Sequence, residues 1–362
     1  AGVTPEQLDD LVRRLLDAES LVTVVVTGMG IPGDEASVTR AAAQLMELLA
    51  REQRSTGLLV LGEKANVQGA LDVGLHPLLL PGHRRAEEMT AGRDVARVWG
   101  CASLPGAGWS FREIFSRATR GEIDALYLVG LDPVKAWPQG LCAREAVEGA
   151  GFVVVQDAFL TETARLADVV LPVRILGDRT GSLVGADGLR RRLQRVATGP
   201  GALPQDDEIF VELARRLGQA LPAGEELERE MERLVRWPRE RPELRRLLPA
   251  ARPVERPAWS GILLDASPQL FHSGSVTLRS RRLQRLSPTV AVRISPADAR
   301  TLGVETGEAL RVATTERELL LRARLDRTVR HGTVVVPWHS GRGGSAAALV
   351  TEIGAPQAVR VR

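Results

Sequence analysis

Cysteine is nearly missing from this chain of 362 residues: Cys101 and Cys142 are all it has. They lie far apart, without His or Cys neighbours at ligand spacing, which excludes a disulfide framework and a zinc or iron-sulfur site within the chain. Both are expected as buried thiols in a reducing compartment. Lysine is almost as scarce, with Lys64 and Lys135 alone, and Asn66 is the sole asparagine, a bias that suits a GC-rich genome. Arginine therefore carries the positive charge. Lys+Arg 48 against Asp+Glu 45 leaves only +3, too little for a basic field, and the 6 Phe, 6 Trp and 1 Tyr cluster in no basic strand. Nucleic acid is thereby excluded as a partner. No stretch of apolar residues is long enough to span a bilayer, and Ala1 to Ser20 is an amphipathic helix pattern (Leu8, Leu11, Val12, Leu15, Leu16) rather than a signal core. A soluble, cytoplasmic protein is expected, with no direct membrane insertion.

What is present alternates between strand and helix periods. Leu21 to Thr27 is a Val-rich strand, followed by Gly28, Gly30 and Gly33 and a helix over Glu35 to Arg51. The glycines resemble a dinucleotide fingerprint, but Pro32 and Gly33 interrupt it, and a close-packed strand-to-helix turn is the preferred reading. Gly57 to Leu61 is the next buried strand. Pro77 to Gly108 reads as irregular structure with a charged stretch from Arg84 to Asp94, the kind of long connection that lies over a site or an interface. Regularity returns with a strand at Ala125 to Val129, an Asp132-Pro133 turn and a helix to about Gly149. A further strand covers Phe152 to Gln156. Asp157 and Thr161 supply capping side chains before a short helix over Glu162 to Leu166, and Val169 to Leu171 gives another buried strand. Gln205 to Gly218 is a helix, and Leu221 to Pro257 is too rich in Arg, Glu and Pro for a core.

From Trp259 onward short β runs dominate: Gly274 to Leu278, Val290 to Ile294, Ala309 to Ala313, Leu319 to Arg324 and Thr333 to Pro337. One helix interrupts them, capped by Ser295, with Pro296 at its first position and Gly303 at its end. The fold class expected is α/β: open, mostly parallel sheets with flanking helices over residues 1–215, a charged helix and linker over 216–256, and a six-stranded, double-psi-like β-barrel over 257–362.

The run from Gln156 to Pro172, together with 61–74 (LGEKANVQGALDVG), 126–134 (LYLVGLDPV), 292–314 (VRISPADARTLGVETGEALRVAT) and 332–341 (GTVVVPWHSG), resembles the molybdopterin oxidoreductases. Within that family the segment Gly62 to Asn66 is similar to the large iron-sulfur subunit of respiratory complex I. Formate dehydrogenases place an arginine in this stretch to polarise substrate. Lys64 is an imperfect substitute for it, lacking the planar fork that grips a carboxylate. Where the enzymes have a pterin-binding asparagine, this chain has Ala346-Ala347-Ala348, and methyl groups there argue for an empty crevice.

The resemblance thus implies a scaffold role in NADH:quinone oxidoreductase, with no cofactor, catalytic residue or metal ligand in this chain. Iron-sulfur clusters would lie in a missing N-terminal portion, and Ala1 in place of Met fits a start inside a longer polypeptide. The partners implied are other peripheral-arm subunits of complex I, at the inner face of the cell membrane. The alternative is a molybdenum or tungsten formate dehydrogenase holding a pterin dinucleotide. Candidates for a remnant crevice are Asn66, Asp132, Asp157, His272, His339 and Arg342. The clusters Arg190, Arg191, Arg192, Arg195 and Arg279, Arg281, Arg282, Arg285 are expected on solvated faces, the latter on outward strand positions. The five histidines, His76, His83, His272, His331 and His339, have no base partner nearby in sequence, so core or surface roles are expected for them.

Overall fold

The computed structural model describes residues 3–26, 35–51, 55–62, 64–138, 141–199, 201–235, 261–268, 275–286, 290–338, 344–351 and 357–362. The expected turn at Gly28, Gly30 and Gly33 and the segment 236–260 lie outside the described residues.

Helix α1 (Pro5–Asp17) starts with a reciprocal cap between Thr4 and Gln7, and strand β1 (Ser20–Val26) follows. Helix α2 (Glu35–Arg51) returns the chain to β2 (Ser55–Leu61), which pairs with β1 in parallel. Met46 of α2 is 1% exposed beneath this two-stranded sheet, and its Sδ accepts from the Thr23 hydroxyl at 3.2 Å. Only one sheet face is covered: Val22, Val24 and Val26 are exposed, as are Leu8, Leu11, Val12 and Leu16 of α1.

Helix α3 (Val67–Asp72) follows, and the short pair β3 (Leu79–Leu80) and β4 (Arg84–Arg85) and helix α4 (Met89–Trp99) occupy the stretch read as irregular beyond Pro77. The helical period at Ala91, Val95 and Ala96 is real, but Gly92 dilutes it and Glu88 provides no side-chain cap, so the local signal is weak. Helix α5 (Phe111–Thr119) precedes β5 (Leu126–Val129). The single helix expected after β5 is two, α6 (Pro133–Ala136) and α7 (Ala143–Gly149), because Pro138 follows Trp137 and cannot continue an α-helical ladder. Strands β6 (Val153–Asp157) and β7 (Val169–Pro172) complete a parallel sheet in the order β5-β6-β7. Phe115, Ala146, Val147 and Val155 form its core.

A hairpin of β8 (Gly181–Val184) and β9 (Arg190–Leu193) leads to α8 (Asp206–Arg216) and α9 (Gly224–Leu234). The arginines of β9 are not simply solvated: Arg190 and Arg192 pair with Glu228 of α9, and Arg191 pairs with Asp187. Helix α9 is charged as expected, yet Leu234 and Val235 at its end are buried against Val95 of α4.

The second architecture is a closed barrel. Strand β10 (Ile262–Pro268) is followed by helices α10 (Ser275–Arg279) and α11 (Arg281–Leu286), then β11 (Ala291–Ile294), α12 (Pro296–Leu302), β12 (Ala309–Ala313), β13 (Glu318–Leu325), β14 (Thr333–Trp338) and β15 (Gln357–Val361). The ring runs β10-β14-β11-β13-β12-β15 and back to β10. The strand expected over Gly274 to Leu278 is therefore wrong from Ser275 onward, Gly274 lying outside the described residues. With β10 and β15 in place no ring position is left for it, and the segment closes local helical bonds instead. Arg279, Arg281, Arg282 and Arg285 consequently sit on helices. Around α12 the local reading holds: the Ser295 hydroxyl accepts from Asp298 N at 3.1 Å, and Gly303 ends the helix with a φ of 66°.

Val292, Ile294, Leu310, Val312, Val334 and Val336 are completely sealed inside the barrel. Truncation there leaves a cavity that close-packed neighbours cannot fill. Leu310→Ala should lower unfolding stability by roughly 2–5 kcal/mol in a urea titration, and a loss below about 1 kcal/mol would show that the barrel is loosely packed.

Candidate functional site

Open parallel sheets bind ligands beyond the C-terminal ends of their strands, so those ends locate the site. At the end of β2 the loop through Gly62 and Lys64 reaches Asn66, whose Oδ1 accepts the Val184 N–H of β8 at 2.9 Å. A Cβ on Gly69 would lie 2.3 Å from that oxygen, so the missing side chain is what lets Asn66 cross α3 to the hairpin. Asn66 is thus engaged in joining two segments.

The ends of β5 and β6 bring Asp132 and Asp157 into electrostatic contact. Each is only 9% exposed. Asp132 Oδ1 accepts from Thr163 N at 3.0 Å and from the Thr163 hydroxyl at 2.7 Å. Asp157 Oδ1 accepts from Phe159 N at 2.9 Å, and the Thr161 hydroxyl accepts from Ala164 N at 3.1 Å. Burial pushes the Asp157 carboxyl above the ordinary aspartate range, and the charge of Asp132 adds to the rise, while the peptide N–H groups of Phe159 and Ala158 and the guanidinium of Arg179 oppose it.

Barrel elements close over this edge. The Trp338 indole donates to Ala136 O at 3.2 Å, next to the Asp132 turn. Arg279 of α10 donates to Leu160 O at 3.4 Å and lies over the Phe159 ring at 5.5 Å, so it grips the loop that follows Asp157. The other three candidates, His272, His339 and Arg342, lie outside the described residues. Asp132 and Asp157 are therefore brought together, and Asn66 serves a different strand end.

Sequence reasoning missed three polar groupings. Gln156 is fully buried: the Tyr127 hydroxyl donates to its Oε1 at 2.7 Å, and its Nε2 donates to Asp206 Oδ1 at 2.7 Å. Arg179 pairs with the same Asp206. The signal was there in a glutamine ending an otherwise apolar strand. Elsewhere His83 Nε2 lies 2.8 Å from the sealed carboxylate of Asp72, and His331 Nδ1 lies 2.8 Å from buried Asp298. Burial lowers the His83 pKa. In both cases the carboxylate comes from another turn of the chain. Cys101 and Cys142 are exposed, not buried.

Residues 10–216 match the family model described as Molybdopterin oxidoreductase, and residues 266–360 match the Molydopterin dinucleotide binding domain. The chain belongs to the molybdopterin oxidoreductase family. It is 29% identical over 98% of its length to the NADPH-Fe(3+) oxidoreductase subunit alpha of Geobacter sulfurreducens, of which it spans 42%. It is also 28% identical over 92% of its length to a subunit of the NADH-quinone oxidoreductase of Rhizobium meliloti, spanning 41% of it. Formate dehydrogenase H of Escherichia coli is 30% identical over 60% of this chain, which covers 32% of that protein. The chain thus spans well under half the length of these curated relatives. The acetylene hydratase structure from Pelobacter acetylenicus shares the fold at a TM-score of 0.51 and 16% identity, covering 75% of this chain and 49% of that one.

The expectation that the chain takes no cofactor is overturned by the dinucleotide-binding match, which points to a molybdopterin cofactor. The argument from Ala346-Ala347-Ala348 failed for a physical reason. Ala346 and Ala347 are 0% and 3% exposed, and Ala346 belongs to the barrel core. Their methyl groups record packing, not the polarity of a crevice. No helix among the described residues is long and apolar enough to cross a membrane.

An aspartate whose pKa rises on folding adds stability that is complete below its unfolded pKa and lost as pH climbs through the folded value. Asp157→Asn removes that loss and leaves an acceptor for Phe159 N. As pH rises above about 4, the variant should gain stability relative to wild type in urea titrations. A pH-independent difference would contradict the raised pKa.

Proposed function

We propose that the chain is the dinucleotide-holding portion of the large subunit of a multi-subunit, NAD(P)H-linked oxidoreductase, of the kind that passes electrons to quinone. The observation that carries this reading is the pair of buried carboxylates at the ends of β5 and β6. Asp157 accepts from the peptide N–H of Phe159, with that of Ala158 beside it, and carries a charge that burial disfavours. A ring N–H or amino group of a bound dinucleotide offsets that cost, so the acceptor-rich donor set fits the cofactor's heterocycles. Thr161 and Thr163 hold the loop, and Arg279 keeps the barrel against it. When bound, such a cofactor supplies a molybdenum or tungsten centre for two-electron chemistry.

Relatives named for NADH or NADPH resemble this chain over nearly its whole length, which supports the NAD(P)H-linked class over its rival. In this reading the chain contacts other subunits of the assembly, at the inner face of the cell membrane. The second reading, a formate dehydrogenase, is favoured by the likeness to formate dehydrogenase H and weakened by exposed Lys64 at the end of β2.

The test is the complete subunit purified from its host, with pterin fluorescence, molybdenum and tungsten content and released nucleotide measured on one preparation. Stoichiometric pterin nucleotide is expected, falling about tenfold or more in Asp157→Ala, the loss of one hydrogen bond to a charged group. Dye reduction by NADH or NADPH but not by formate is expected from the assembly. Reduction by formate alone would replace this reading with its rival, and a subunit devoid of pterin would end both.

A further inference from the structure

The outer wall of the barrel carries a second feature. Along β12, Leu310 and Val312 point inward and Arg311 outward; along β13, Leu321 and Ala323 point inward and Arg322 and Arg324 outward; along β15, Val359 and Val361 point inward and Arg360 outward. These strands are neighbours in the order β13-β12-β15. Arg311 and Arg362 stand directly opposite each other, exchanging backbone bonds of 2.8 and 3.0 Å. Arg324 is in register with Arg293 of β11. Like charges facing across a sheet destabilise it.

Internal compensation is partial. Glu318 takes Arg311 at 2.9 Å and Asp326 takes Arg293 at 3.2 Å, while Arg322 donates to Gly307 O at 2.7 Å. Alanines lie between the guanidiniums: Ala309 is paired with Arg322, and Ala313 with Arg360. The wall is therefore low in relief. Leu320, paired with Arg311 and 64% exposed, is an apolar spot within it.

The geometry points to a docking surface for a carboxylate-rich face of another protein subunit. Planar guanidiniums bind carboxylates through two parallel bonds, and arginine is enriched where proteins meet. Residues 290–325 and 357–362 contain no aromatic side chain. A single-stranded RNA site stacks bases on aromatics, and a membrane-surface site buries bulky apolar or aromatic groups. Charge complementarity to an acidic protein is what this wall offers.

The experiment uses the full chain and fluorescein-labelled poly-glutamate as probe, read by fluorescence anisotropy at low ionic strength. Arg324→Glu with Arg360→Glu should weaken binding about tenfold or more, whereas Arg93→Glu with Arg97→Glu on α4 should change it less than about twofold. Arg324→Gln with Arg360→Gln, which should give a smaller loss, replaces the reversal pair if circular dichroism shows that pair unfolded. Equal losses in the two reversal pairs, or no binding by wild type, would overturn the proposal. So would tighter, wall-dependent binding of phosphatidylglycerol vesicles or of poly(U), which would reassign the wall to a membrane or to RNA.

Discussion

The amide of Gln156, closed off from water at the end of β6, sets where separate parts of the α/β region must meet. A buried amide has to find both a donor and acceptors or forfeit the cost of its desolvation. Here Tyr127 on β5 supplies the donor and Asp206 at the start of α8 accepts from its NH2 group. Asp206 in turn holds Arg179, whose charge reaches Asp157 one residue beyond Gln156. The helix that follows the β8-β9 hairpin is thereby fixed to the sheet edge, and the crevice carboxylates inherit their setting from that attachment. Replacing the amide would disturb the setting of Asp157 without touching that residue itself.

The parts legible in the sequence were those decided by neighbours along the chain. Ser295, Pro296 and Gly303 bound α12 because capping bonds span only a few residues. The helix Glu35–Arg51 and the strands β5, β6 and β7 were readable from period and β-branching, but β7, expected to be buried, is an edge strand with Val169 and Val170 exposed. What escaped was decided from afar. Val276, Thr277 and Leu278 carry the side chains of a strand, but strand formation needs an open edge and the ring had none. Helix α4 depends on packing of Val95 against Leu234 and Val235, residues assigned from composition alone to a charged connector.

The site followed the same division. Asp132 and Asp157 were among the crevice candidates that the family resemblance implied. Their meeting, and the contribution of Arg279 from the barrel, needed the fold. The alanine argument shows the opposite risk. An apolar residue at an aligned position says nothing of a pocket's polarity until it is known which way its Cβ points, and at Ala346 it points into the barrel core.

The barrel's ring closes between β10 and β15, with Ile262 opposite Val359. Those residues lie at opposite ends of the domain's sequence, so the seam is the contact with the largest loop to close and among the slowest to form. Until β15 emerges from the ribosome, β10 and β12 both present raw edges, and the nascent domain is a curled open sheet. Any shortening that removes β15 would leave those edges free for another chain to pair with, turning a self-contained cylinder into a seed for aggregation.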